Sequence, residues 1–161
     1  MFEADKGQPA PLDGSHLRIG IVQARFNEGV TGGLLQACLA ELDALGVPAQ
    51  DIAHHTVPGA LEVPLALKWL AHRGEYDALI ALGCVIRGET THYDYVCGES
   101  ARKLMDLAAD RRLAIGNGIL TVENEEQAWR RARPEDLDKG GDAAEAARAL
   151  LGLRQRLLGG G

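Results

Sequence analysis

The stretch Gly88-Glu89-Thr90-Thr91-His92 brings a glycine, a carboxylate, two hydroxyls and an imidazole together, directly ahead of a segment with helical spacing. At a helix start the first N–H groups have no partner within the helix. Backbone donors from Gly88 to Thr91, facing outward, would therefore make a seat for a phosphate or a similar anion. Thr90 or Thr91 can add a hydroxyl donor. His92 follows directly, and an imidazole with an ordinary pKa of about 6.5 both takes and gives a proton near neutral pH. His92 is the foremost general acid/base candidate, because His54, His55 and His72 have no such neighbours. A histidine standing alone in that place is more often structural, so the reading needs other groups beside it.

Three further stretches supply candidates. In Arg25-Phe26-Asn27 an aromatic stands beside a short amide where the chain turns toward a helix, and a flat ring could stack on it. The alternative is that Phe26 caps the core and Asn27 caps the helix. In Val57-Pro58-Gly59-Ala60-Leu61-Glu62-Val63-Pro64 a tight turn precedes Glu62. Its carboxylate either accepts hydrogen bonds from a polyol or complements the dipole of the helix it begins. Asn117-Gly118-Ile119-Leu120-Thr121 closes a fourth apolar run, and beyond it Arg130, Arg131, Arg133 and Lys139 gather positive charge in an acidic chain. One of these could pair with a phosphate. A solvated helix face with pairs such as Glu126 to Arg130 is the plainer account.

The elements that must position these groups follow from periodicity. Residues 18–24 are a short apolar, β-branched run, after which Val30, Leu34, Leu35, Cys38, Leu42 and Leu45 recur at helical steps. Gly46 and Pro48 stop that helix. Residues 51–57 form a second strand and 60–73 a second helix. Residues 77–86 are almost unbroken apolar sequence, as a central parallel strand requires. A helix over 92–110, a strand over 113–122 and helices over 123–133 and 142–158 complete a βαβαβαβαα order. Such alternation predicts an α/β fold: a three-layer αβα sandwich around a four-stranded parallel sheet, flavodoxin-like, with small molecules bound at the carboxyl ends of the strands. All the candidate stretches except the distal cations fall at those ends.

Composition narrows the class. At 161 residues, with 46% hydrophobic and 25% charged side chains, the chain suits one globular domain over 17–158 with a flexible tail over 1–16. A net charge of −6 with no broad basic face argues against nucleic acid. No apolar run approaches the roughly 20 residues that span a bilayer, and the polar start is unlike a signal peptide, so no membrane partner and a cytoplasmic location are expected. Cys38, Cys84 and Cys97 form neither a disulfide framework nor a metal-binding spacing. Reduced core thiols, and no metal, are expected.

Taken together, RFN after the first strand, VPGALEVP after the second, GCVIRGETTHYDYV after the third, NGILTVENEEQAWRRA after the fourth, and DKGGDAA resemble the lumazine synthase family over nearly the whole chain. The stretch from Arg87 to Tyr95 is the most specific of these. The resemblance implies condensation of 5-amino-6-(D-ribitylamino)uracil with 3,4-dihydroxy-2-butanone 4-phosphate, two small-molecule substrates, without a cofactor. It implies that Phe26 stacks on the pyrimidine, that Asn27, Ala60, Leu61 and Glu62 hold the ribityl chain and ring edge, and that Cys84, Val85 and Ile86 line the ring pocket through their backbone. Gly88, Glu89 and Thr90 would carry the phosphate with Arg131, His92 would move protons, and Lys139 would stand near the pyrimidine carbonyl.

Asn117 would reach into a neighbouring subunit's site, since the family is built on homopentamers with active sites between subunits. Leu61 and Asn117 stand where some members have phenylalanine, and an aromatic wall there would hold the pyrimidine more firmly. In place of the glycine-rich turn that shell-forming members carry before the last helix, this chain has Arg133-Pro134-Glu135-Asp136-Leu137-Asp138. A free pentamer or a pentamer pair is the expectation. Two other readings compete. An FMN-binding electron carrier is disfavoured because aromatics total only 4% and no phosphate loop follows the first strand. A non-catalytic flavin- or lumazine-binding or shell-forming paralogue is disfavoured by the retained His92, Arg131 and Lys139.

Overall fold

The apolar runs form strands, and the segments with three- and four-residue apolar steps form helices. The computed structural model describes Gly7 and residues 13–159. In it β1 (Ile19–Ala24) is followed by α1 (Glu28–Ala44), β2 (Ile52–Val57), α2 (Val63–Arg73) and β3 (Ala78–Ile86). Then come α3 (His92–Arg111), β4 (Ala114–Val122), α4 (Glu125–Ala132) and α5 (Lys139–Leu158). The strands are parallel in the order β2-β1-β3-β4, giving the expected three-layer αβα sandwich with its flavodoxin-like strand order. The central strands are covered on both faces. On one, Ile21, Ile80 and Leu82 pack with Leu34, Cys38 and Ala144 beneath α1, α4 and α5. On the other, Val22, Leu79 and Ala81 pack with Leu67 of α2 and Leu104 of α3.

Three helix starts differ from the expectation, each for a local reason. The helix expected from 123 begins at Glu125, where the Asn124 side chain accepts from the Gln127 N–H (2.9 Å) and caps it. Residues 60–62 form a 3-10 turn, Ala60–Glu62, and α2 begins only at Val63. An α-helix begun at Ala60 would need the N–H of residue 64 for the Ala60 carbonyl, and Pro64 has none. The last helix begins at Lys139 instead of 142, because the Asp138 side chain accepts from the Gly141 N–H (3.3 Å) and caps it there.

Of the tail expected over 1–16, residues 1–6 and 8–12 lie outside the described residues, as do Gly160 and Gly161. Gly14, near the end of that stretch, is buried and donates its N–H to the Leu45 carbonyl (2.9 Å). No helix among the described residues is long and apolar enough to cross a membrane.

From β1 the chain crosses through α1 to β2 on one side, while β3 lies on the other side of β1. Connections leaving the carboxyl ends of β1 and β3 therefore diverge, and a crevice opens between them. In open parallel sheets this is where ligands bind.

Candidate active site

Asn27 closes the turn after β1 in the left-handed conformation (φ 60°), one that asparagine tolerates better than most residues. Its side-chain amide makes no cap to α1. Instead Nδ2 donates to the Cys84 carbonyl on β3 (2.9 Å), tying the two strand ends across the crevice. The Arg25 N–H donates to the Val57 carbonyl (2.8 Å) and the Phe26 N–H to that of Pro58 (3.0 Å), which laces this turn to the one after β2. Phe26 is thus held by its backbone while its side chain remains 73% exposed, so it does not cap the core.

The crevice holds a cavity of about 350 Å³. Phe26 forms one wall, Ala60, Leu61 and Glu62 the next, and Cys84, Val85 and Ile86 the floor. Gly88, Thr90 and His92 close it at the start of α3. Ten of the predicted site residues therefore converge on one place. Glu62 serves its helix start as well, for Oε1 accepts from the Gly59 N–H (2.8 Å) and fixes the turn that brings the carboxylate to the cavity. Burial pushes the Cys84 thiol up to about 11. It is therefore protonated at neutral pH and no nucleophile.

The loop from Gly88 to Thr91 is exposed. Among the described residues nothing accepts from its N–H groups. The Thr90 hydroxyl accepts from the His92 N–H (3.3 Å) and the Thr91 carbonyl from the Asp94 N–H (3.0 Å). Unpartnered N–H groups at a helix start can take an anion as their partner. His92, the first residue of α3, stands exposed beside it. Glu89 is exposed within the same loop but does not line the cavity.

Three predicted residues lie elsewhere in the chain. Asn117 sits mid-strand, paired in register with Ala81, in a strand that runs to Val122 as expected. Its Oδ1 accepts from the Ile119 N–H (3.0 Å). Arg131 belongs to α4 and donates from Nη1 to the Gln127 carbonyl (3.1 Å). Lys139 opens α5, with Nζ 3.4 Å from Asp142. Both helices cover the sheet face opposite α2 and α3, so neither cation lines the cavity of its own chain.

Four residues were missed. Gly59, Tyr93 and Val96 line the cavity, and the i, i+4 spacing of His92 and Val96 was the available signal for one of them. Arg87 was passed over as one charge in a motif. Its Nε donates to Glu123 at the end of β4 (2.6 Å), Nη1 lies 3.6 Å from Asp94 in α3, and the guanidinium sits 4.3 Å from the centroid of the Tyr93 ring. Among the described residues no group of three or more His, Cys, Asp or Glu side chains could hold a metal ion.

The arrangement can stack a flat heterocycle on Phe26, seat an anion at the start of α3, and move a proton at His92 between the two. The chain is similar to known proteins over nearly its whole length. The family model described as 6,7-dimethyl-8-ribityllumazine synthase matches residues 16–155. A 6,7-dimethyl-8-ribityllumazine synthase from Leptothrix cholodnii is 53% identical over 157 residues, covering 98% of this chain and 99% of that protein. One from Paracidovorax citrulli is 54% identical with the same coverage. One from Methylibium petroleiphilum is 53% identical over 92% of this chain and 90% of its own length.

Proposed function

This chain belongs to the 6,7-dimethyl-8-ribityllumazine synthase family, and from that premise we propose how it carries out the family's reaction. It is a transferase of riboflavin biosynthesis. It condenses 5-amino-6-(D-ribitylamino)uracil with 3,4-dihydroxy-2-butanone 4-phosphate to 6,7-dimethyl-8-ribityllumazine, the penultimate step. The observation that carries the residue-level reading is the convergence of the Phe26 ring, the Gly88 to Thr90 loop and His92 on one crevice at the sheet's carboxyl edge.

The pyrimidine stacks on Phe26, with its edge against the backbone of Cys84 to Ile86 and its ribityl hydroxyls toward Asn27, Ala60, Leu61 and Glu62. Gly88, Glu89 and Thr90 hold the phosphate of the ketone. The pyrimidine's amine then attacks the carbonyl carbon and water leaves, giving an imine. Phosphate is eliminated, the resulting enol tautomerises, and the ribitylamino nitrogen closes the ring with loss of a second water. His92 stands where protons must move in the elimination and tautomerisation. Positioning two reactants in line contributes up to about 7 to 11 kcal/mol in ideal cases, more than acid/base help worth roughly a hundredfold to ten-thousandfold in rate. Catalysis is therefore mostly alignment.

The active assembly is a homopentamer with each site shared between neighbours. Support comes from Asn117, Arg131 and Lys139, which lie away from the cavity of their own chain, and from Leu61, Leu65 and Trp69, which leave an apolar stripe exposed beside it. Large exposed apolar patches mark interfaces. In this arrangement Arg131 pairs with the phosphate, Lys139 approaches the pyrimidine carbonyl, and Asn117 reaches the ring, all from the neighbouring copy.

The test is to mix the purified chain with both substrates and follow the fluorescent lumazine against a protein-free control. A rate equal to the control would sink the reading. Reassembling a mixture of His92→Ala and Arg131→Ala chains should give activity above that of either variant alone, and no gain would put both residues on one chain's site. Sedimentation should give the mass of a pentamer or a pentamer pair, and a megadalton particle would refute that size.

A further inference from the structure

The loop proposed to hold the phosphate has little of its own to keep it in shape. Gly88 to Thr91 are all exposed, and a Cβ added at Gly88 would meet nothing within 4 Å. Within the loop only the Thr90 hydroxyl and the Thr91 carbonyl make bonds, both to the first turn of α3. An anion seat made of backbone N–H groups works only if those groups are already aimed. Something outside the loop must aim them.

We infer that Arg87 is a positioning residue for this loop, acting through Glu123 and Asp94 without itself touching the phosphate. The inference rests on the reading above, that Gly88 to Thr90 receive the phosphate. Arg87 stands at the hinge where β3 ends. Its N–H donates to the Val122 carbonyl (2.9 Å), Nε to Glu123 (2.6 Å), and Nη1 lies 3.6 Å from Asp94. Its guanidinium carbon lies over the Tyr93 ring, 4.3 Å from the centroid, and Tyr93 itself lines the cavity. One side chain thus clamps the ends of β3 and β4 to the first turn of α3, bracketing the loop on both sides. Glu123 is steadied in turn, since its N–H donates to the Gln127 side chain (2.8 Å) at the start of α4. A guanidinium suits this task because it bonds in its plane while stacking on a ring, which an ammonium does less well. Facing two carboxylates, its charge is already matched, so the anion is left to the backbone donors.

Three variants decide the matter: Arg87→Ala, Arg87→Lys and Glu123→Ala. For each, the KM of either substrate is measured, along with the affinity for inorganic phosphate by calorimetry. Arg87→Ala should raise the KM of the phosphorylated ketone and the Kd of inorganic phosphate about tenfold, well within the loss that misplacing a binding group causes, while the pyrimidine KM moves less than about threefold. Arg87→Lys should fall between. Glu123→Ala is the sharp case, because it removes negative charge near an anion site. If Arg87 were itself a phosphate ligand, that change would free it and tighten phosphate binding. A positioning role predicts weaker binding, and a double variant no worse than Arg87→Ala alone.

Unchanged or tighter phosphate binding in Glu123→Ala overturns the inference, as does an Arg87→Ala chain with wild-type phosphate affinity. Should Arg87→Ala fail to fold, Arg87→Lys and Glu123→Ala give the same decision. A wild-type chain that binds phosphate without making lumazine would sink the proposed function and leave this inference to the calorimetry. A wild-type chain that binds no phosphate would overturn it.

Discussion

On the face covered by α1, α4 and α5, backbone meets backbone: a Cβ on Gly140 would fall on the Leu34 carbonyl, and one on Gly116 would fall on that of Ala143. On the face covered by α2 and α3, Leu61, Leu65, Trp69 and Met105 stand exposed, and Gly98 of α3 has open space where its Cβ would be. The first layer packs closely within one chain where α1 meets α5, and its exposed apolar residues, Leu150, Leu153, Leu157 and Leu158 toward the end of α5, do not line the cavity. The second leaves apolar surface for something else to cover, and it borders the cavity. The cavity therefore opens beside the less tightly packed side of the sheet, the side from which binding groups are commonly drawn.

Gly140→Val should break the closed face outright. The atoms in the way are main chain and cannot rotate aside, so a loss of more than about 4 kcal/mol, seen as insoluble or unfolded chain, is expected. Gly98→Ala on the open face should instead gain roughly 0.5 to 1 kcal/mol from helix propensity in denaturant unfolding. A Gly98→Ala chain that loses stability would show that a neighbouring copy occupies that space. Next in size, Leu34→Ala, which empties a fully buried site, should cost about 2 to 5 kcal/mol. Leu65→Ala, at 52% exposure, should stay within about 0.5 kcal/mol for the single chain. If Leu65→Ala instead shifts the sedimentation coefficient, the open face is the assembly face.

The open side should yield chemistry where the closed side yields stability. His92→Ala is expected to lower kcat roughly a hundredfold or more without abolishing turnover, since acid/base help accounts for only part of the rate. Its midpoint in denaturant should not move, because His92 is exposed at a helix start. A large loss of stability with unchanged kcat would make His92 a structural residue.

How far the sequence reveals this division varies with the range of the interaction. Element order follows from apolar periodicity, a local property, and the convergence of Phe26, Glu62, Thr90 and His92 follows from the rule for strand ends. The Asn27 bond to Cys84 spans 57 residues and the Arg87 bond to Glu123 spans 36, and both depend on a strand register that no short motif encodes. For Arg131 and Lys139 a motif singles out the side chains, but not which sheet face α4 and α5 will cover. Pro64 did announce its boundary, since a missing N–H is a local fact, yet the apolar spacing running through it masked the 3-10 turn.

The smallest expected effect probes the one point where the closed face is electrostatically at odds with itself. Glu41 of α1 is half-buried against α5, where Glu145, Asp138 and Asp142 face it and Arg148, buried and paired with Glu145, opposes them. Burial first, and then Glu145 and Asp138, hold its carboxyl above the ordinary value of 4.5. A carboxyl that binds its proton more tightly when folded contributes stability that is fully present below 4.5 and is lost as pH rises through the raised folded value. At neutral pH the ionised Glu41 is thus a small burden. Glu41→Gln, which keeps the shape and removes the charge, should make the chain slightly more stable than the parent at pH 7. The gap should close as pH falls through the raised pKa, as followed by urea unfolding at a series of pH values. A gap that widens in acid would mean that Arg148 outweighs the neighbouring carboxylates, and that the closed face is as well matched in charge as it is in packing.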